Sequence, residues 1–215
     1  MLPILYSFRR CPFAMRARFA LLASGTPCEL REVVLRDKPA ALREASAKAT
    51  VPVLVDVDGT VIDESLAIMH WALARRDPRR WLAPSGGTLD EMLELVAQCD
   101  ADFKRHLDRY KYPNRYEGAD ALRHRTEAGV FLDALETRLR VARHLFGDAP
   151  ALADMAIAPF VRQFAQVDAA WFAAAPWPAL NAWLSRLTDS MLWANAMPKF
   201  PAWRPGDPAV VFGSA

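Results

Sequence analysis

Along the first eighty residues the spacing of apolar positions changes period several times. Leu2 to Phe8 is a compact apolar run, the pattern of a buried strand. Cys11-Pro12 then opens a helix, because proline is favoured at a first helical position, where its missing N–H costs no hydrogen bond. Met15, Phe19 and Leu22 fall at i, i+4 and i+7, and Gly25 supplies the stop. Cys28 to Leu35 carries the β-branched pair Val33-Val34 and reads as a second strand, and Pro39 to Ala47 is alanine-rich and helical. Val51 to Val57 is a third strand, which Asp58-Gly59 turns into a short fourth, Thr60-Val61-Ile62. A helix from about Glu64 to Ala74 places Ile68 and Ala72 on its inner face.

Two parallel strands joined by a crossover, followed by a hairpin, predict a four-stranded mixed sheet covered by helices. The stretch that follows, Arg75 to Arg80 and then Pro84-Ser85-Gly86-Gly87, is charged, turn-forming and non-periodic, as a linker should be. The first domain is therefore expected over residues 1–78 and a second over 88–215. That second half shows only helical periodicity. Met92, Leu95 and Val96 begin a long helix reaching toward Tyr112; Phe131, Leu135 and Leu139 mark another; Ala151 to Val167 is a third with Pro159 inside it, and Leu180 to Leu187 a fourth. The tail, with Pro201, Pro205 and Pro208, reads as irregular.

Composition narrows the function classes. At 215 residues and 53% hydrophobic the chain is long and apolar enough for a real core, which excludes a disordered or fibrous protein. A net charge of +2 is too small for a dedicated nucleic-acid or membrane surface. The longest uncharged run, Ala169 to Ser185, is interrupted by Pro176 and Pro178 and is shorter than a membrane span. The N-terminal apolar stretch is short and its arginines follow it, unlike a secretory signal. Three widely spaced cysteines, an odd number, fit a reducing cytoplasm better than a disulfide framework, and the four histidines show no metal-ligand spacing. The first eighty residues hold 13 basic and 9 acidic side chains against 14 and 16 in the rest, so a small-anion site sits more naturally in the first half.

The candidate chemistry centres on Cys11. A cysteine at a helix start, flanked by Arg9 and Arg10, has its thiolate favoured over the thiol by unpaired N–H groups and by the helix dipole. The same position also suits a small, half-buried residue with no role. Cys28 and Cys99, within a strand and a helix, read as structural. The residue three after Cys11 is Ala14, so a second thiol must come from solution. Val51-Pro52 reads either as a strand-start proline or as a cis proline turning the Val51 backbone toward a ligand. Asp63-Glu64-Ser65 precedes a helix and suits either a carboxylate site or simple capping.

In combination these residues are more telling than any one of them. Phe8 to Arg18, Leu35-Arg36-Asp37-Lys38-Pro39, Val51-Pro52-Val53-Leu54 and Glu64-Ser65-Leu66-Ala67-Ile68 resemble, in order and spacing, the active-site segments of omega-class glutathione transferases. The likeness covers the first eighty residues; beyond them it is confined to helical character and to Leu152-Ala153-Asp154-Met155-Ala156-Ile157-Ala158-Pro159-Phe160. The resemblance implies an α/β plus all-α protein: a thioredoxin-like βαβαββα domain, then an all-helical domain, in a cytoplasmic homodimer. It implies glutathione as co-substrate, no metal, no nucleic acid or membrane partner, and a small electrophilic or disulfide second substrate bound between the domains. It also implies roles. Cys11 forms a mixed disulfide with glutathione, Phe13 lies beside the tripeptide and Lys38 takes its glycine carboxylate. Val51, ahead of Pro52, bonds its cysteinyl part, and Glu64 and Ser65 hold its γ-glutamyl end. The expected reactions are thiol transfer, dehydroascorbate reduction or deglutathionylation. The alternatives are a non-catalytic binding or regulatory protein, and a dehalogenase or isomerase on the same fold. Tyr6 and Ser7 lie close enough to supply an activating hydroxyl but read as strand residues. Phe103, Tyr110, Tyr112, Arg115 and Trp171 are candidates for an acceptor pocket, though aromatics at helical spacing are as readily core. One departure from the resemblance is Ala151, where the superfamily has a Ser or Thr cap ahead of the helix carrying Asp154.

Overall fold

The computed structural model describes residues 1–213. It divides into two compact units: Met1–Arg79 together with the segment from Ser190 onward, and Arg80–Asp189.

The first unit begins with β1 (Ile4–Ser7), whose core-facing residues are fully buried. Helix α1 (Pro12–Ser24) starts at Pro12 and ends at Gly25, whose φ of 67° lets its N–H and that of Thr26 return to the carbonyls of Leu22 and Leu21. Strand β2 (Cys28–Glu32), helix α2 (Ala40–Ala45), strands β3 (Val53–Val55) and β4 (Val61–Ile62), and helix α3 (Ser65–Arg75) follow in the expected order. The β3–β4 turn closes where Asp58-Gly59 predicts it, with Asp56 N–H donating to the Thr60 carbonyl at 2.8 Å. β1 runs parallel to β2 and antiparallel to β3, so βαβ and hairpin halves share one thioredoxin-like sheet. On one of its faces Tyr6, Val33, Leu42, Val51 and Val53 form an apolar cluster.

The second unit is helical. Helix α4 (Leu89–Gln98) opens on a capping box in which Thr88 and Glu91 satisfy each other's backbone N–H. It passes through one π-helical turn, Cys99–Phe103, into α5 (Lys104–Lys111), so the expected long helix is present but locally unwound. Helix α6 (Ala121–Leu139) is capped by Asp120, and α7 (Leu152–Ala165) accommodates Pro159. Helices α8 (Ala169–Ala174) and α9 (Pro178–Thr188) complete the unit. Phe103, Tyr110 and Phe164 stack at 5.1–5.6 Å in its core.

The chain then rejoins the first unit through α10 (Met191–Ala196) and β5 (Val211–Phe212). β5 adds antiparallel to β2, and the sheet has five strands in the order β4-β3-β1-β2-β5. This corrects two expectations: the sheet is not four-stranded, and the helical unit does not extend over 88–215. The physical reason is the open edge of β2, whose backbone groups find partners in the tail: Leu30 N–H donates to Val210 O at 2.8 Å and Trp203 N–H to Glu32 O at 2.9 Å. Gly213 follows β5 with φ 89°, so near Thr26 that a Cβ there would sit 2.4 Å from its carbonyl oxygen. Arg18, fully buried on α1, anchors the tail. It donates to Ser7 Oγ at 2.8 Å and to the Ala196 carbonyl at 3.1 Å, pairs with Glu32, and lies under the rings of Phe200 and Phe212.

Candidate functional site

Cys11 occupies the cap of α1. A tight turn delivers it there: Cys11 N–H donates to the Phe8 carbonyl at 2.9 Å, and Arg9 N–H donates to Glu32 Oε1 at 2.7 Å, tying the turn to β2. Its carbonyl accepts the first bond of the helix, from Met15 N–H at 2.9 Å. The thiol is half-buried against the apolar cluster of Tyr6, Val33, Leu42, Val51 and Val53 and lies 3.7 Å from the Val51 carbonyl. The Val51–Pro52 peptide is cis, and Pro52 stands just ahead of β3. Cys11 and Val51, forty residues apart in sequence, are thus directly juxtaposed.

The other two thiols are buried. Burial pushes the Cys28 thiol up to about 12, and Cys99 lies in the π-helical turn with no exposed surface. Both candidate hydroxyls near Cys11 are already engaged: Ser7 Oγ accepts from Arg18 Nε at 2.8 Å, and Tyr6 Oη accepts from Arg31 at 2.8 Å.

Glu64 and Ser65 sit at the start of α3. Neither acts as a side-chain cap, so the capping alternative does not hold. Glu64 is exposed and pairs with Lys48, which also reaches Asp63 at 3.3 Å. Asp63 accepts from Ser46 Oγ at 2.9 Å, and that bond, helped by Lys48, holds its carboxyl below the usual range. The two acidic neighbours in turn raise Lys48. Ser65 is buried and accepts from Arg16 at 3.4 Å, and the Arg16 guanidinium lies over the Phe13 ring at 5.3 Å. Phe13, Arg16 and Ser65 therefore link the Cys11 helix to the start of α3. Lys38 is half-buried in the connection after β2, with no hydrogen bond or ion pair of its side chain among the described residues. Sequence reasoning missed Lys48, Ser46 and Arg16. The first two lie in a polar turn with no distinctive spacing, and Arg16 reads as one charge among several on a helix.

In the helical unit, Phe103 and Tyr110 are core, as helical spacing alone allows. Arg115 stacks on Tyr112 at 4.2 Å, and Trp171 carries Arg125 on its face at 4.1 Å.

Comparison with known proteins agrees with this geometry. Residues 5–81 match the glutathione S-transferase N-terminal domain and residues 120–186 the glutathione S-transferase C-terminal domain. A maleylpyruvate isomerase of a Ralstonia species is 31% identical over 198 residues, covering 83% of this chain and 88% of its own. Glutathione S-transferase omega-1 of Mus musculus is 24% identical, over 91% of this chain and 76% of its own. Among solved structures, a glutathione transferase family member of Pseudomonas fluorescens with two glutathione bound superposes with a TM-score of 0.78 at 17% identity, covering 91% of this chain and 92% of that one. A glutathione transferase of Phanerochaete chrysosporium in complex with oxidized glutathione gives 0.77 at 17% identity, covering 90% and 94%. At those identities the superpositions establish the fold. With both domain families matched in order and a relative above 30% identity along most of its length, the chain belongs to the glutathione S-transferase superfamily.

Proposed function

We propose that this protein is a glutathione-dependent thiol transferase of the cysteine type. The observation that carries the reading is the placement of Cys11: a half-exposed thiol at a helix N-terminus beside the Val51 carbonyl, while the Ser7 and Tyr6 hydroxyls are held by arginines. Ser7 and Tyr6 are both buried, whereas the Cys11 thiol is half-exposed and the helix N-terminus favours its thiolate.

In this reading the Cys11 thiolate attacks the glutathione sulfur of a mixed disulfide, a new S–S bond forms, and the partner thiol leaves as its thiolate and takes a proton from water. A second glutathione thiolate attacks the glutathione sulfur of the Cys11 adduct, releasing oxidised glutathione and the Cys11 thiolate. Phe13 flanks the tripeptide, Lys38 pairs with its glycine carboxylate, and Val51 bonds its cysteinyl backbone. Glu64 accepts the γ-glutamyl ammonium in competition with Lys48, and Ser65 donates to the adjoining carboxylate.

The test is glutathione-dependent reduction of the mixed disulfide of glutathione and 2-mercaptoethanol by wild type and Cys11→Ala. Turnover that vanishes in the variant supports the reading; turnover that persists without Cys11, or glutathione binding without turnover in wild type, refutes it. The Ralstonia relative favours a second reading, a glutathione-dependent isomerase, in which the thiol of bound glutathione does the chemistry. Isomerisation of a cis-enone acid that survives Cys11→Ala, with no disulfide reduction, would establish that reading instead.

A further inference from the structure

Two arginines, Arg9 and Arg10, occupy the centre of the turn that delivers Cys11, and neither guanidinium closes that turn. The turn is closed by the Cys11 N–H to Phe8 carbonyl bond and fastened to β2 through the backbone N–H of Arg9, not its guanidinium. Glu32, the carboxylate at this turn, is already engaged: one oxygen accepts the Arg9 amide and the other pairs with buried Arg18. Among the described residues neither Arg9 nor Arg10 makes an ion pair or a side-chain hydrogen bond; Arg10, exposed, only lies over the Phe8 ring at 5.4 Å. Two arginines without counter-charges among the described residues thus immediately precede Cys11, whose thiol lies against an apolar wall of Tyr6, Val33, Leu42, Val51 and Val53. Such a wall screens charge less well than water, so an anion beside it feels the arginines more strongly.

Resting on the thiol-transferase reading, we infer that Arg9 and Arg10 make the enzyme selective for disulfides whose departing half is anionic. The departing group carries a full negative charge once the S–S bond breaks, because the electron pair of that bond leaves on its sulfur. A carboxylate two or three bonds from that sulfur adds a second charge for the same guanidinium groups. Neutral and cationic thiols lack this attraction, and a cationic one is repelled.

The experiment compares kcat/KM for the mixed disulfides of glutathione with 3-mercaptopropionate, 2-mercaptoethanol and cysteamine, which carry an anionic, neutral and cationic departing half. The enzymes are wild type, Arg9→Gln, Arg10→Gln and the double variant. The fold tolerates these changes, since Arg10 is exposed and Arg9 holds the turn by its backbone. Wild type is expected to favour the anionic over the cationic substrate by roughly tenfold at low salt, as one or two half-exposed ion pairs provide. That preference should shrink as salt is raised and fall toward unity in the double variant. If the arginines act only on the thiolate population of Cys11, all three rates fall by one common factor and the selectivity stays, which overturns the inference. Equal rates for the three substrates in wild type overturn it as well, while leaving the thiol-transferase reading intact. Absence of turnover with all three removes both.

Discussion

Asp154 is buried with no exposed surface and accepts from three donors. Its Oδ1 accepts from Leu145 N–H at 3.0 Å and from Trp183 Nε1–H at 2.7 Å, and its Oδ2 accepts from Ala151 N–H at 2.9 Å. The last bond explains how α7 starts without a hydroxyl cap: Asp154 reaches back to the cap residue's amide, half of a capping box. The same carboxylate ties α7 to α9 through Trp183 and to the loop at Leu145. Asp154→Ala strands three buried donors, and removing one partner of such a charged network costs about 3–5 kcal/mol. Asp154→Asn keeps one acceptor oxygen. With that oxygen in the Oδ1 place, Leu145 and Trp183 remain satisfied and only the Ala151 amide faces an N–H₂ group, a loss of about 1–3 kcal/mol. The expected order is therefore wild type, Asn, Ala, with steps of about 2 kcal/mol. Urea unfolding followed by far-ultraviolet circular dichroism and by tryptophan fluorescence measures both losses. If Asp154→Ala falls within about 0.5 kcal/mol of wild type, the carboxylate is not the organising group of this unit and the reasoning fails.

Arg18→Met is expected to free the tail, because it leaves Glu32 without its cation and the Ala196 carbonyl without its donor. Limited proteolysis should then cut within residues 197–210 faster than in wild type, and unchanged cleavage would show that β5 holds the tail unaided. The His106–His124 pair joins α5 to α6 through a 2.8 Å Nδ1–Nδ1 hydrogen bond, and Arg105 donates to His106 Nε2 at 3.0 Å. Burial first, then Arg105 for His106 and Arg109, Arg123 and Arg105 for His124, lower both imidazoles below their ordinary 6.5, outweighing the opposing Glu127, Asp102 and Asp120. Below that pH the unfolded chain takes up protons that the folded pair resists, so stability should be complete above about 7 and decline as pH falls through 6.5. Replacing both histidines by Gln should flatten the change in urea midpoint between pH 7.5 and 5.5; an unaltered slope would assign it to other groups.

The elements most legible in the sequence are those whose signals are local. Pro12 and Gly25 bracket α1, Asp58-Gly59 marks the hairpin, and the start of α3 lies within a residue of its expected place. The cysteine at a helix start was legible for the same reason, since helix caps and dipoles depend on immediate neighbours. The tail was not. A two-residue strand has no periodicity of its own and forms only because β2 offers an unpaired edge. Arg16 and Arg18 were equally hidden, since charge ordinarily marks a solvent face, and here both lie fully buried on a helix enclosed on several sides. Lys48 and Ser46 enter the candidate site only because the loop ahead of Pro52 folds back over the start of α3.

The sequence by itself determined the order of strands and helices in the first eighty residues, the point where the chain turns from sheet to helices, and which of three cysteines stands at a helix start. Those follow from backbone preferences and short-range periodicity. The tertiary structure alone decided that Cys11 meets the Val51 carbonyl, that Ser7 and Tyr6 have their hydroxyls occupied, and that the C-terminal segment completes the first sheet. Each of those depends on partners tens or hundreds of residues away, chosen by which buried polar group and which open strand edge needed one, and no local pattern encodes that choice.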